Sequence, residues 1–233
     1  AANSFADNVF FANSGTEAVE AGIKAIRGYQ ASIGQKQRTR VIGFTESFHG
    51  RTLGALAVAG NASHMQGFIP SDYGFDHVAW GDMEALNGAI TDETAGIVLE
   101  TIQGEGGIRP VTEQLLKQIR ALCDEKGLVL MFDEVQCGVG RTGKLFAYEH
   151  FGVNPDVMAL AKGLGGGFPV GACLTTAKVG NAMVVGSHGS TFGGGPMAMA
   201  VVCPFRSSNG SRFTTGTRTM TESSTRRSFL STE

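Results

Sequence analysis

The chain has 233 residues, 42% hydrophobic and 17% charged, with a formal net charge of −2. That apolar share at that length is enough for a sizeable core, and the near balance of charge gives no basis for a nucleic-acid or anionic-membrane partner. No apolar run approaches the roughly 18 residues of a membrane span, no signal-peptide pattern is visible in the opening residues, and four cysteines without a CxxC pair are weak evidence for zinc or a disulfide framework, so a reducing, cytoplasmic setting is expected.

Taken in chain order, GTEAVEAGIKAIRGYQAS repeats apolar residues at helical spacing, which predicts a helix from Gly15 to Ser32 with Ser14 or Thr16 as its cap. TRVIGFTES reads as a short strand, RTLGALAVAG as a short helix entered from FHG, and AGIVLET as a buried strand. VTEQLLKQIRALCDEKG is an amphipathic helix with Leu115, Leu116, Ile119 and Leu122 on one face and Gly127 as its terminator. LVLMFDE, PDVMALA and VGACLTT are three further buried strands, and TAKVGNAMVV closes the pattern as a short helix. Helices alternating with apolar strands predict an α/β domain, a mostly parallel central sheet with helices on both faces. From Cys203 the chain turns to serine, threonine and arginine without periodicity, so residues 203–233 are expected to be a disordered tail and 1–202 the folded part.

Chemistry collects at the predicted strand ends. Lys162 follows PDVMALA and precedes GLGGG. Its amine either faces solvent, pairs with a carboxylate, or forms a Schiff base with an aldehyde cofactor, for which the glycines would let backbone pass close to a ring. Asp133 ends VLMF and reads equally as a helix cap or as the carboxylate that keeps a pyridine nitrogen protonated. In NSGTEA, Gly15 and Thr16 offer backbone N–H groups and a hydroxyl to a phosphate, although SGTE is also an ordinary capping pattern. In SFHGRT, Phe48 could cover an aromatic ring and Arg51 could pair with a substrate carboxylate, or the two are a core phenylalanine and an exposed arginine.

These motifs, with ETIQGEGGIRP, DEVQCGVGRTGKLFAYEHFGVNPDVMALAKGLGGGFPVGACLTT and GSHGSTFGGGPMAMAV, resemble the class III, fold type I aminotransferases, and within them the acetylornithine branch. The resemblance runs from about Phe10 to Val202. It implies the large pyridoxal 5'-phosphate-binding domain, with Lys162 as the catalytic Schiff-base lysine. It also implies a phosphate loop at Ser14, Gly15 and Thr16, ring stacking by Phe48, Asp133 on the pyridine nitrogen and Gln136 near the phenolic oxygen. Arg51 and Glu105 resemble substrate-side residues, and Ser190 and Thr191 resemble the segment that reaches the cofactor phosphate of a neighbouring subunit, which implies a homodimer. The implied reaction is ping-pong transfer of an amino group between N2-acetylornithine and 2-oxoglutarate, part of arginine biosynthesis. Ornithine or 4-aminobutyrate as donor, or a cofactor-binding chain of impaired activity, are the alternatives.

Several features depart from that pattern. The resemblance implies about 400 residues, so an N-terminal segment and a C-terminal small domain are expected to be missing and turnover by this chain alone to be low. Thr101 stands in place of a common proline and is expected to loosen a strand exit; Gly195 stands in place of the usual asparagine of GGNP.

Overall fold

The computed structural model describes residues 3–70 and 72–202; the tail expected at 203–233 lies outside the described residues. Along the chain come β1 (Asn8–Ala12), α1 (Gly15–Ser32), β2 (Arg40–Phe44), α2 (Leu53–Ala59), α3 (Ala62–Met65), β3 (Phe75–Val78), α4 (Met83–Ala89) and β4 (Thr94–Glu100). Then follow β5 (Ile102–Gln103), β6 (Arg109–Pro110), α5 (Glu113–Lys126), β7 (Val129–Asp133), β8 (Val157–Leu160), β9 (Gly171–Thr175), α6 (Ala177–Gly180) and α7 (Pro196–Val202). Seven strands form one sheet in the order β1-β9-β8-β7-β4-β2-β3, and β5 pairs with β6 in a separate hairpin. The run from β8 to β3 is parallel, and β9 is antiparallel to both β8 and β1. The mostly parallel α/β architecture expected from the alternation is the one found.

Side-chain alternation along each strand divides the core between two faces. On β7, Leu130 and Phe132 join Leu116, Ile119 and Leu122 of α5 and Leu86 of α4. Val129 and Met131 point the other way, to Val19, Ile23 and Ile26 of α1 and Val58 of α2. All five residues of β7 are buried, which is why the central strands read as unbroken apolar runs rather than alternating ones.

Helix ends follow local chemistry. Thr112 accepts from the Leu115 amide at 3.2 Å to start α5, and Gly127, at φ 67°, ends it. Two expectations change. The helix read over TAKVGNAMVV stops at Gly180, where a Cβ would stand 2.4 Å from Thr175 Oγ1; Val184 and Val185 beyond it are exposed. Thr101, far from loosening the exit of β4, is fully buried, with its hydroxyl 3.4 Å from Cys137 Sγ and its carbonyl accepting from the Val111 amide at 2.9 Å. β1, β3 and α4 are elements the periodicity did not announce. NVFFA pairs residue by residue with β9, a partner more than 150 positions away.

Candidate active site

Because β1, β2, β4, β7 and β8 run in one direction, their carboxyl ends open on a single edge, the usual ligand edge of such sheets. A cavity of about 590 Å³ lies there, lined by Ser14, Gly15 and Thr16 after β1, Phe48 and His49 after β2, Glu100 ending β4, Asp133 ending β7 with Val135 and Gln136 beyond it, and Ala161 and Lys162 after β8. Its size suits a small organic ligand.

The floor is a buried acid and base. Asp133 is 3% exposed; its Oδ2 lies 2.7 Å from His49 Nδ1 and its Oδ1 accepts from the Val135 amide at 2.9 Å. Burial by itself lowers the basicity of His49, but the Asp133 hydrogen bond and charge, with Glu100 adding to them, outweigh it and hold the imidazole above its ordinary value. Glu100, the register partner of Asp133 on the neighbouring strand, is pushed up to about 7 by burial.

One wall is the start of α1. Ser14 Oγ accepts from the Glu17 amide at 3.3 Å, and the Glu17 carboxylate accepts from the Asn13 amide at 2.5 Å. Gly15 and Thr16 are the first two helical residues, so their N–H groups have no intrahelical partner and sit at the positive end of an 18-residue helix. The cap and the phosphate-ready loop are therefore one feature. The Thr16 hydroxyl is 2.9 Å from Thr52 Oγ1, which itself donates to Glu20 Oε1 at 2.5 Å. Thr16 thus donates to Thr52, and it faces the cavity as an acceptor oxygen plus a backbone donor. Gly171 makes room for this turn: a Cβ there would lie 2.2 Å from the Ser14 carbonyl oxygen.

Lys162 enters from the segment after β8, in a short 3₁₀ turn at φ 41°. Left-handed backbone is costly for a non-glycine residue and gathers at functional positions. Its Nζ donates to Gln136 Oε1. The GLGGG run serves the turn itself, since a Cβ on Gly165 would meet the Phe168 carbonyl oxygen at 2.1 Å. Glu105 and Ile108, on the loop between β5 and β6, are exposed at the cavity mouth.

Of the residues singled out from sequence, three fall outside the lining. Arg51 is exposed, with its guanidinium 5.4 Å from the centre of the Phe48 ring. Ser190 Oγ accepts from Asn13 Nδ2 at 3.2 Å and from the Gly193 amide at 3.0 Å, and Thr191 is exposed. His49 and Glu100 were not singled out, although each carried a signal: His49 follows Phe48 directly, and Glu100 ends an apolar strand just as Asp133 does.

Sheet order and cavity define an α/β protein with its ligand site at the carboxyl edge of a mainly parallel sheet. The chain belongs to the class-III aminotransferases: the family profile, "Aminotransferase class-III", matches residues 1–205. It is 57% identical over 199 residues to the acetylornithine aminotransferase of Brucella melitensis, covering 85% of this chain and 49% of that one. The ornithine aminotransferase of Toxoplasma gondii superposes with a TM-score of 0.80 at 35% identity, over 84% of this chain and 48% of that one. That structure is described as showing partial occupancy of PLP at the active site. N-acetylornithine aminotransferase from Stenotrophomonas maltophilia K279a gives a TM-score of 0.67 at 40% identity, over 85% and 46% of the two chains. The chain thus spans about half the length of the curated relatives it matches. No helix among the described residues is long and apolar enough to cross a membrane.

The donor set fits a phosphorylated pyridine aldehyde. Free helix-start amides, a primary amine and a hydrogen-bonded carboxylate surround one cavity, and Gly15 keeps the floor open where a Cβ would stand 2.8 Å from Val135 Cγ1.

Proposed function

We propose that this cavity binds pyridoxal 5'-phosphate and that the protein transfers an amino group from N2-acetylornithine to 2-oxoglutarate, giving N-acetylglutamate 5-semialdehyde and glutamate in arginine biosynthesis. The observation carrying the cofactor reading is the meeting of Lys162, Asp133 and the first turn of α1 around one cavity. The donor reading is supported by the likeness to acetylornithine aminotransferases.

In this reading the Gly15 and Thr16 amides bind the phosphate. Phe48 and Val135 cover the two faces of the ring. Asp133, held in place by His49 and the Val135 amide, holds the proton at the pyridine nitrogen. Bound pyridoxal phosphate supplies the electron-accepting ring. Lys162 Nζ would hold the aldehyde and, as a free amine, would move a proton at the substrate carbon. Gln136 steadies that amine. Glu105 meets the substrate from the mouth, and Arg51, exposed over the Phe48 ring outside the lining, is assigned to the substrate carboxylate. Ser190 and Thr191, outside the cavity of their own chain, contact the phosphate of a second copy, and residues 1–202 form the large-domain unit of a cytoplasmic homodimer.

The test is the half-reaction. Protein loaded with pyridoxal phosphate is mixed with N-acetylornithine, ornithine or 4-aminobutyrate, and loss of the visible cofactor band is followed. N-acetylornithine is expected to discharge the band at the lowest concentration. A preference for ornithine, the donor named by the Toxoplasma likeness, would replace the donor assignment, and no discharge by any amine would overturn the transferase reading.

A further inference from the structure

Glu100 ends β4 at the cavity edge with 4% of its surface exposed. Its hydrogen-bond donors are two backbone amides from separate segments. Oε2 accepts from the Phe48 amide at 3.1 Å, and Oε1 accepts from the Gly104 amide at 3.4 Å. Phe48 belongs to the loop after β2; Gly104 opens the loop between β5 and β6 that carries Glu105 and Ile108. A single carboxylate therefore joins the wall bearing the aromatic ring to the wall bearing the mouth residues.

We infer that Glu100 is a positioning residue: ionised, it draws the Phe48 and Gly104 amides together and fixes the width of the cavity, and protonated, it releases them. This rests on the reading of the cavity as the pyridoxal phosphate site. The hydrogen bonds of a carboxylate to N–H groups are about twice as strong as those of a neutral acid, so the two walls are held tightly only in the ionised form. The titratable groups facing it are His49 from the loop after β2, Asp133 from β7, and Lys162 and Glu105 around the same cavity. Glu46 and Arg109, which pair with each other, flank the hairpin. Burial is the main force favouring the neutral acid and Asp133 adds to it, while His49 and the two amides favour the ion; the balance lies at about 7. The same carboxyl does not touch Lys162 in any hydrogen bond among the described residues, which separates its role from that of the lysine.

The experiment is amide hydrogen exchange on cofactor-free protein between pH 5.5 and 8.5, corrected for intrinsic rates, with the Leu130 and Met131 amides as controls. In the wild type, protection at Phe48 and Gly104 relative to the Leu130 and Met131 amides, which report global stability, is expected to rise about tenfold through neutral pH. In Glu100→Gln the step disappears at both positions, and the affinity for pyridoxal phosphate becomes weaker and loses its inflection near neutrality. Flat protection in the wild type, or a step retained in Glu100→Gln, overturns the inference; the wild-type titration decides even if the variant does not fold. Failure of the wild type to take up pyridoxal phosphate would instead overturn the function reading and leave the exchange result standing.

Discussion

Replacing His49 by alanine removes the partner of a carboxylate that has almost no access to water. The His49 side chain is 0% exposed and that of Asp133 is 3% exposed, with 2.7 Å between Nδ1 and Oδ2. After truncation Asp133 keeps the Val135 amide alone. Breaking a buried pair from one side costs about 3–5 kcal/mol, a large share of the roughly 5–15 kcal/mol that holds a domain together. His49→Asn keeps an N–H donor near the Nδ1 position without the charge and is expected to cost about 1–2 kcal/mol. Urea unfolding of cofactor-free protein therefore ranks wild type above His49→Asn above His49→Ala. Because the folded His49 pKa is raised, its charged form contributes stability fully below the unfolded value near 6.5. That contribution is lost as pH rises through the higher folded value, so the gap between wild type and His49→Asn narrows on the alkaline side. His49→Ala within about 0.5 kcal/mol of wild type would refute the reasoning, because a surface-like substitution has that magnitude.

Gly171→Ala puts a methyl 2.2 Å from the Ser14 carbonyl oxygen, a backbone atom that must move with the cap of α1. A loss of about 1–3 kcal/mol is expected in urea unfolding, together with weaker phosphate binding at the helix start, read by titration with pyridoxal phosphate. Glu100 and Glu134 are both pushed by burial from the usual carboxylate range up to about 7. Over that window the folded state binds more protons than the unfolded chain, so stability falls as pH rises, by up to about 3 kcal/mol per carboxyl; unfolding midpoints between pH 4.5 and 8 check the slope, and Glu134→Gln flattens it. The same substitution weakens the contacts that Glu134 makes with the Ala147 and Tyr148 amides at 2.7 and 2.6 Å, and faster exchange at those two amides is the readout. Thr101→Val removes the contact with Cys137 Sγ while preserving shape, and a cost under about 1.5 kcal/mol is expected from the same unfolding assay.

The sheet was largely legible because its central strands are buried on both faces and read as apolar runs between turn residues. β1 was not, since NVFFA gains its identity from the antiparallel partner at Gly171–Thr175 rather than from its own period. At the cavity, Lys162, Asp133 and the SGTE turn could be singled out because each carries a polar group where an apolar element begins or ends. Glu100 met the same criterion, but AGIVLET was read through it. His49 lay between two more conspicuous residues, and its meaning depends on Asp133, 84 positions later in the chain. Arg51, Ser190 and Thr191 carry roles implied by resemblance, and their place outside the lining depends on how loops fold back, which local spacing does not encode.

The role proposed for Lys162 is to anchor pyridoxal phosphate covalently. Borohydride reduction of the loaded protein followed by peptide mass mapping tests it most directly. The pyridoxyl group is expected on Lys162 Nζ, with the label and the visible band both lost in Lys162→Ala; a label on another lysine, or an unchanged band in Lys162→Ala, would contradict that role.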